Sequence, residues 1–536
     1  MTLAVQVSGA AREAVEREVP TLDASEVAQR LAAKDHTLWG EAAESEASIR
    51  LGWIDAPSAS RPLVAEIEAL REELRAEGVD RVVLCGMGGS SLAPEVICAT
   101  AGVPLVVLDG TDPGQVGRAI STDLDRTVVV VSSKSGSTVE TDSQRRAFVT
   151  AFDKAGIDPT SRVVVVTDPG SPLEKASTEA GYRRVFTADP HVGGRYSALT
   201  AFGLVPSGLA GADVGALLDQ AEALLPRLAL PGTDNPALVL GAVIGATPNA
   251  AGTRRDKLAL VDQGSGLVGF GDWAEQLIAE STGKDATGTL PVVVDEDAPE
   301  VLRPSSDVVV AHLGGSGASL PDDDAARVLV TGDLGEQMLL WEAATAVAGR
   351  LLGIDPFDQP DVESAKVAAR GLLDHRPEPV APAVIDGGIA VTGPDALVAG
   401  TTSVADAVAR LRDAVPADGY IAVHAYLDRL AHPELEVIRH ALAEPSGRPV
   451  TFGWGPRFLH STGQYHKGGP AHGVFLQIVG TPSRDRAIEG RPFTFGELIA
   501  AQAAGDARVL ADHGRPVLTL TVADDDAIAA LIAAIV

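Results

Sequence analysis

Apolar and polar positions between residues 79 and 210 alternate between two patterns. Short runs of apolar residues are followed by longer stretches with helical spacing. The run VVVV at 128–131 has no polar face, which is typical of a parallel strand covered on both sides. The pattern predicts a doubly wound α/β domain, in which ligands bind at the carboxyl ends of the strands. The predicted strands are 81–85, 104–108, 127–131, 162–167 and 183–186.

The flanking stretches predict two further parts of the chain. Residues 1–77 are rich in Ala, Glu, Arg and Leu, and their apolar positions at 25–38 and 62–74 have helical spacing. A second α/β unit starts near Asn235, with strands predicted at 258–263, 307–312 and 327–331 and a helix at 337–352. The predicted domains are a helical N-terminal segment (1–77), a first α/β domain (78–230) and a second one that includes a His-containing segment and the tail (231–536).

Composition limits the partners and the location. The formal net charge is −30, from 73 acidic and 43 basic residues, so nucleic acid and anionic membrane are not expected partners. Cys85 and Cys98 have neither disulfide-framework nor zinc-site spacing. The N-terminus lacks the basic start and apolar core of a signal peptide, and the longest apolar run, 237–246, is too short to span a bilayer. We therefore expect a cytoplasmic protein.

The loop after the first predicted strand reads GMGGSS at 86–91. Its glycines allow close approach to a ligand, and the next helix offers free N–H groups to an anion. A dinucleotide site is an alternative, because Gly86 and Gly88 fit the first two glycines of GxGxxG and Asp109 ends the next strand. Ser91, however, stands where that fingerprint has Gly or Ala. Glycine-rich turns without a ligand are also common, so this loop alone leaves three interpretations open.

A second loop, SSKSGST at 132–138, favours a phosphate pocket. It follows another buried strand, and helix capping explains only one or two of its hydroxyl groups. Two such loops side by side on one sheet predict a site that holds the phosphate of a sugar monophosphate. The predicted phosphate-binding residues are Gly88, Gly89, Ser90, Ser133, Lys134, Ser135, Ser137, Thr138 and Thr141.

With these two loops and four further motifs, the chain resembles the glucose-6-phosphate isomerase family. The motifs are GMGGS (86–90), SKSGSTVET (133–141), GGRYS (193–197), ESTGK (280–284), FDQP (357–360) continuing to Lys366, and HSTGQ (460–464). More closely, the chain is similar to the branch found beside or fused to transaldolase. The resemblance implies two doubly wound, flavodoxin-like sugar-isomerase domains of SIS type with parallel sheets, preceded by the helical segment.

The chain departs from the family pattern in three places. Thr282 stands where the family usually has Asn, and SKSGST replaces the more common SKTFTT. His460 follows the Lys366 segment, whereas most members place the His segment before it. Since the residues around His460 also match, we expect a rearranged topology in which His460 is still the counterpart.

The resemblance also assigns roles. Glu280 would be the base, Arg195 would stabilise an enediolate, and His460 with Lys366 would open the sugar ring. Gln276 and Gly194 would contact the sugar. No cofactor and no metal is implied, and the four other histidines between 424 and 466 lack metal-site spacing. The resemblance also implies that this chain forms a homodimer, because the catalytic His of the family is typically supplied by the neighbouring subunit.

The function implied is the reversible isomerisation of glucose 6-phosphate and fructose 6-phosphate through a cis-enediolate, in glycolysis and gluconeogenesis. One alternative is an isomerase that acts on both glucose and mannose phosphates. Another is a non-catalytic regulator that binds sugar phosphates, which would have the loops without the base. Glu280, Arg195 and Lys366 together argue against the regulator.

Overall fold

The computed structural model describes residues 2–246, 248, 252, 254–361, 368, 370–373 and 380–536. This part of the chain forms three β-sheets with helices packed on their faces. The predicted α/β fold with parallel-rich sheets is confirmed. The strands are β1 (Ala4–Ser8), β2 (Arg81–Cys85), β3 (Val106–Leu108), β4 (Thr127–Ser132), β5 (Val163–Thr167), β6 (Arg184–Thr187), β7 (Lys257–Gln263), β8 (Leu290–Val294), β9 (Val308–Gly314), β10 (Arg327–Thr331), β11 (Val384–Asp386), β12 (Ile389–Thr392), β13 (Tyr420–Tyr426), β14 (Val450–Trp454), β15 (Gly473–Gly480) and β16 (Val517–Val522).

The first sheet is entirely parallel, in the order β3-β2-β4-β5-β6. Every residue of β4 is buried, as its uninterrupted apolar run predicts. β3 starts two residues later than predicted, at Val106. β2 and β4 are neighbours, so the loops that follow them meet at one edge of the sheet.

The second sheet has the order β1-β10-β9-β7-β8. β1 pairs antiparallel with β10, with Ala4 opposite Thr331, while the other pairs are parallel. The segment 1–77 is helical as predicted, except for β1. The five residues of β1 pair with residues more than 300 positions away in the sequence. Local periodicity carries no information about such a distant pairing.

The third sheet has the order β11-β12-β16-β15-β13-β14. Its last four strands are parallel, and β11 and β12 are antiparallel additions at one edge. The range 231–536 therefore holds two sheets, one completed by β1 and one made of residues 384–522. The His460 segment lies directly after β14 of this third sheet.

Helices cover these sheets and connect their strands. One hydrophobic core joins the N-terminal helices to the first two sheets, and a separate core lies on the third sheet. No helix among the described residues is both long and apolar enough to cross a membrane. The helices are α1 (Ala10–Ala24), α2 (Val27–Ala32), α3 (Glu44–Ala47), α4 (Ala56–Ala59), α5 (Arg61–Ala76), α6 (Leu92–Ala101), α7 (Pro113–Ser121), α8 (Val139–Ala155), α9 (Pro172–Glu179), α10 (Ala201–Ala210), α11 (Val214–Leu228), α12 (Pro236–Ile244), α13 (Phe270–Thr282), α14 (Pro299–Leu302), α15 (Leu334–Leu352), α16 (Asp395–Val398), α17 (Val404–Asp413), α18 (Val437–Ser446), α19 (Gly463–Gly468), α20 (Phe495–Asp512) and α21 (Asp525–Ile535).

Candidate active site

The glycine loop after β2 is the meeting point of three distant segments. Gly88 has a φ of +55°, and a Cβ placed on it would lie 2.6 Å from the carbonyl oxygen of His460 and 2.7 Å from Nε2 of Gln276. A Cβ on Gly89 would lie 2.0 Å from the carbonyl oxygen of Gly194. Only glycine fits at these two positions, because backbone and side chains from the other segments occupy the space.

Glu280 projects from the buried face of α13 into the same region. It is 6% exposed, and Gln276 lies one helical turn earlier on that face. Gln276 Nε2 donates to Glu280 Oε2 at 3.1 Å, and Arg195 Nη1 lies 3.7 Å from Glu280 Oε1. The predicted base, cation and sugar-contacting amide are therefore neighbours, although Arg195 and Glu280 are far apart in the sequence.

Neutral oxygen atoms hold most of the Arg195 guanidinium. Its Nε donates to Ser281 Oγ at 2.8 Å, and Nη1 donates to Gln359 Oε1 at 3.2 Å. Nη2 donates to the carbonyl oxygens of Pro356 and Asp358 at 2.7 and 2.9 Å. Arg195 is 4% exposed, so its charge is fixed in a buried place, and among the described residues Glu280 at 3.7 Å is its close carboxylate.

Lys284 is a second buried cation beside this cluster. Its Nζ donates to the carbonyl oxygens of Asp355 and Asp358, both at 2.6 Å, and forms an ion pair with the Asp358 carboxylate. Burial and, to a smaller extent, the charge of Arg195 lower the pKa of Lys284 to about 8. The segment at 355–359 thus holds both Arg195 and Lys284.

His460 ends a short 3-10 helix, Arg457–His460, that follows β14. Its Nε2 lies 3.1 Å from Oε1 of Glu140, and its carbonyl oxygen accepts a hydrogen bond from Gln276 Nε2 at 2.7 Å. Glu140 also accepts from Gln502 Nε2 at 2.6 Å. The resemblance implied a His from a neighbouring subunit, whereas here the His460 beside Gly88 belongs to the same chain.

The second loop is partly exposed and bonded within itself. Ser133 Oγ donates to Thr138 Oγ1 at 3.2 Å, and the Oγ atoms of Ser135 and Ser137 lie 2.8 Å apart. Ser135 and Ser137 are exposed, while Thr141 is buried and its hydroxyl has no hydrogen-bond partner among the described residues. Within the described part of the chain, these hydroxyls therefore have no partners outside the loop.

Lys134, a predicted phosphate-binding residue, is engaged by other groups of the protein. Lys134 Nζ forms an ion pair with Asp168 at 2.6 Å and donates to the carbonyl oxygen of Pro190 at 3.3 Å. The positive charge of Lys134 is thus partly neutralised by Asp168, which follows β5. Lys366 lies outside the described residues. Asp361, the last described residue before it, donates its backbone N–H to Oε1 of Gln464 at 3.0 Å.

A partly buried charge network lies behind the short 3-10 helix, with Asp109 at its buried end and Asp272 at the surface. Arg457 forms ion pairs with Glu95 at 2.6 Å, with Asp109, and with Asp272 at 3.2 Å. Arg429 pairs with the same Glu95 and Asp109, at 2.8 and 3.2 Å. Asp109, which a dinucleotide site needs for a ribose, is 1% exposed and committed to these two arginines. This placement removes the support that Asp109 gave to that alternative.

Glu140, Gln502, Lys284 and Gln359 are site residues that received no predicted role. A signal existed for Glu140, Lys284 and Gln359, because each lies inside one of the quoted motifs. Gln502 lies on α20 in a stretch of ordinary helical composition, and no pattern around it indicates a contact with Glu140. Only the packing of the third sheet against the first brings them together.

The comparisons with known proteins identify the family that this chain resembles. A family model described as phosphoglucose isomerase matches residues 70–302. The "Probable glucose-6-phosphate isomerase" of Natronomonas pharaonis is 31% identical over 376 residues, which cover 61% of this chain and 87% of that protein. The glucose-6-phosphate isomerase of Rubrobacter xylanophilus is 30% identical over 381 residues, covering 59% of this chain and 87% of the relative.

Two solved structures have similar folds. A hypothetical protein of Thermus thermophilus gives a TM-score of 0.58 at 26% identity, over 69% of this chain and 100% of the other. A glucose-6-phosphate isomerase of Chlamydia trachomatis gives 0.54 at 19% identity, over 69% and 86%. The segment matched by the family model carries Gly88, Arg195 and Glu280. With relatives at 30% identity matched over most of their length, this chain belongs to the phosphoglucose isomerase family.

Proposed function

We propose that this chain interconverts glucose 6-phosphate and fructose 6-phosphate through a cis-enediolate. One observation carries the proposal: the Glu280 carboxylate lies beside the Arg195 guanidinium, whose four hydrogen-bond acceptors are neutral. Moving a proton between neighbouring carbons needs a base and a fixed positive charge for the developing oxyanion. This chain matches relatives over most of their own length, and these relatives are named glucose-6-phosphate isomerases. Their names support the same reaction.

The two loops at the edge of the first sheet hold the phosphate in this proposal. Backbone N–H groups of Gly88, Gly89 and Ser90 and the hydroxyls of the second loop donate to its oxygens. Ser133, Ser135, Ser137, Thr138 and Thr141 supply these hydroxyls. The phosphate lies at the end of the sugar that does not react, and binding it orients the reacting carbons toward Glu280. The binding energy of the phosphate thus lowers the barrier of the reaction. Gln276 and Gly194 contact the sugar itself.

His460 donates a proton to the ring oxygen and so opens the sugar. Glu140 supports this role, because a buried carboxylate 3.1 Å from Nε2 fixes the orientation of the ring. Lys366 handles the anomeric hydroxyl, a role that rests on its motif alone. Glu280 then moves the proton between C1 and C2, and Arg195 stabilises the enediolate between the two transfers.

The test is a Glu280→Gln variant in a coupled assay of fructose 6-phosphate to glucose 6-phosphate. We expect the turnover to fall by roughly 10³-fold, together with the exchange of the C2 proton with solvent, because the amide cannot accept a proton. Fructose 6-phosphate should still bind with unchanged affinity, since the phosphate loops are untouched. Retained turnover would contradict the role of Glu280.

Glu275→Gln on the same helix is the matched control and should leave turnover unchanged, because Glu275 lines a different cavity. A regulator that only binds sugar phosphates would give no turnover in the unmodified chain. Running mannose 6-phosphate in parallel distinguishes the isomerase that acts on glucose phosphates alone from one that acts on both.

Assembly as a homodimer and a cytoplasmic location complete the proposal, and both rest on the family resemblance. His460 stands beside Gly88 within one chain, so the proposed dimer is not needed to deliver it. Sedimentation measurements across the concentration range of the assay test the dimer.

A further inference from the structure

Lys284 lies in the turn that directly follows the helix of the proposed base. α13 carries Glu280 and ends at Thr282. The backbone of Lys284 is fixed in this turn, because its N–H donates to the carbonyl oxygen of Thr282 at 3.0 Å and its own carbonyl oxygen accepts from Thr287 N at 2.9 Å. Lys284 is also 1% exposed. Its side chain therefore starts from a rigid point at the end of α13.

The ammonium group of Lys284 is bound by one segment of the chain. Nζ donates to the carbonyl oxygens of Asp355 and Asp358, both at 2.6 Å, and forms an ion pair with the Asp358 carboxylate. An ammonium group has three N–H donors, and these three oxygens match them. The charged side chain thus connects the end of α13 to the segment 355–359.

The same segment also binds Arg195. Arg195 Nη2 donates at 2.9 Å to the carbonyl oxygen of Asp358, which is the oxygen that Lys284 binds, and at 2.7 Å to that of Pro356. Arg195 Nη1 donates to Gln359 Oε1 at 3.2 Å. Because three of its hydrogen bonds go to this segment, the position of the segment determines where the guanidinium lies.

Lys284 therefore connects the helix of the base with the segment that holds the cation. Arg195 Nη1 lies 3.7 Å from Glu280 Oε1. A displacement of about 1 Å at a reacting group lowers a rate by about 10²-fold. The contacts of Lys284 thus bear on the spacing on which the proposed reaction depends.

Stability alone does not explain a lysine at this position. Burial and, to a smaller extent, the charge of Arg195 lower the pKa of Lys284 to about 8, so its charged form is disfavoured here. A buried ion pair adds little net stability over an apolar side chain of similar size, because the desolvation of the charges offsets their attraction. An apolar side chain, however, cannot bind two carbonyl oxygens in fixed directions.

We propose that Lys284 is a positioning residue, which ties the segment 355–359 to the end of α13 and thereby sets the distance between Arg195 and Glu280. This inference rests on the proposed isomerisation, in which Arg195 stabilises the enediolate. Lys284 acts through Arg195 and does not touch the substrate.

The first experiment is steady-state kinetics of Lys284→Met with fructose 6-phosphate. We expect kcat to fall by about 10²-fold, because Arg195 loses its place beside the base. KM should change by less than about twofold, since the phosphate loops are untouched. An unchanged kcat, or a loss that lies in KM alone, overturns the proposal.

Lys257→Met is the matched control. Lys257 is equally buried and pairs with Asp256 at 2.5 Å and Asp307 at 2.9 Å, but it lies at the amino end of β7, away from the site. This variant should lose stability and keep its kcat. Equal losses of kcat in Lys257→Met and Lys284→Met would mean a general effect of removing a buried lysine and would overturn the proposal.

A double variant shows whether Lys284 acts through Arg195. Lys284→Met combined with Arg195→Met should be as slow as Arg195→Met alone, because the first substitution then has nothing left to displace. Losses that multiply in the double variant would mean that Lys284 acts independently of Arg195, contrary to the proposal.

A milder variant keeps the test open if Lys284→Met does not fold. Asp358→Ala removes one of the three partners of Lys284 from a side chain that is 38% exposed. The segment keeps its apolar anchor, because Phe357 packs against Trp39 and Tyr196 with ring centroids 4.8 and 5.5 Å apart. We expect kcat to fall several-fold, and an unchanged kcat contradicts the proposal.

A crystal structure of whichever variant folds separates this inference from the proposed function. Arg195 Nη2 should lie farther from the carbonyl oxygen of residue 358 than the 2.9 Å of the unmodified chain. Unchanged Arg195 contacts overturn the positioning role, whether or not the chain is active. An unmodified chain without turnover would instead contradict the proposed isomerisation, and the structural comparison would still decide the role of Lys284.

Discussion

Two arginines of this protein, Arg195 and Arg457, have opposite surroundings. Arg195 is held by a hydroxyl, an amide oxygen and two carbonyl oxygens, with the Glu280 carboxylate 3.7 Å away. Arg457 is held by three carboxylates, those of Glu95, Asp109 and Asp272. Both side chains are fixed by several contacts, so rigidity does not distinguish them.

The two arginines differ in how far their positive charge is neutralised by the surrounding protein. Neutral dipoles orient Arg195 and leave its positive charge for a substrate, which is how a preorganised site stabilises a developing oxyanion. Carboxylates cancel the charge of Arg457, which then joins α6, the end of β3 and α13 to the segment that carries His460. The nature of the partner atoms thus separates a candidate catalytic cation from a structural one.

Arg457→Met should cause the largest effect, on stability. Removing the central cation leaves the buried Asp109 and the partly buried Glu95 with Arg429 as their one remaining arginine, and we expect the free energy of unfolding to fall by up to about 3–5 kcal/mol. Denaturant titration measures this loss. The control is Arg303→Met, which breaks an exposed pair with Glu444 and should cost less than about 1 kcal/mol. Similar losses in the two variants would contradict the structural role.

Arg195→Met should act mainly on the reaction. Loss of the oriented charge should lower kcat by about 10²–10³-fold, while fructose 6-phosphate still binds through the phosphate loops. The free energy of unfolding should fall less than in Arg457→Met, since Arg195 leaves mostly neutral groups behind. Steady-state kinetics and denaturant titration on one preparation provide both numbers. A large stability loss with unchanged kcat would reverse the assignment of the two arginines.

Acid should weaken the Arg457 network. Burial alone would raise the pKa of Glu95, but the charges of Arg457 and Arg429 lower it to about 2 from an ordinary value of 4.5. Because the folded-state pKa is depressed, the stabilisation is complete above pH 4.5 and is lost as the pH falls through 2. The contribution is roughly 3 kcal/mol at most.

The stability difference between the unmodified chain and Arg457→Met should therefore shrink between pH 4.5 and 2. Urea unfolding at several pH values in this window measures it. A difference that stays constant across the window would show that Glu95 is not coupled to Arg457.

A substitution at Gln359 tests, with the smallest expected effect, whether the charge of the partner atoms distinguishes Arg195 from Arg457. Gln359→Glu places a carboxylate on Arg195 Nη1 and gives that arginine a partner like those of Arg457. We expect kcat to fall by about tenfold, equivalent to about 1.4 kcal/mol. Gln359→Met removes the hydrogen bond without adding charge and should cost only a few-fold. Equal losses in the two variants would mean that geometry, and not charge, matters at this position.

Much of the fold was predictable from local pattern. The all-apolar runs identified β2, β4 and β5 within one residue at either end, because a strand covered on both faces has no polar positions. β1 was missed, since five residues at a sheet edge carry little periodicity of their own. The division of the strands in 231–536 between two sheets was not predicted, because strand pairing between distant segments leaves no local mark.

The sequence by itself determined the parts of the site that are contiguous: the two loops after β2 and β4, and the motifs that carry Arg195, Glu280 and His460. Each is a short run whose residue types are required by local geometry or chemistry. Tertiary structure alone decided which of them meet. His460 lies beside Glu140 across 320 sequence positions, and Arg457 gathers acids from three elements. Such contacts depend on the packing of sheets against each other, and residue order along the chain does not encode that packing locally.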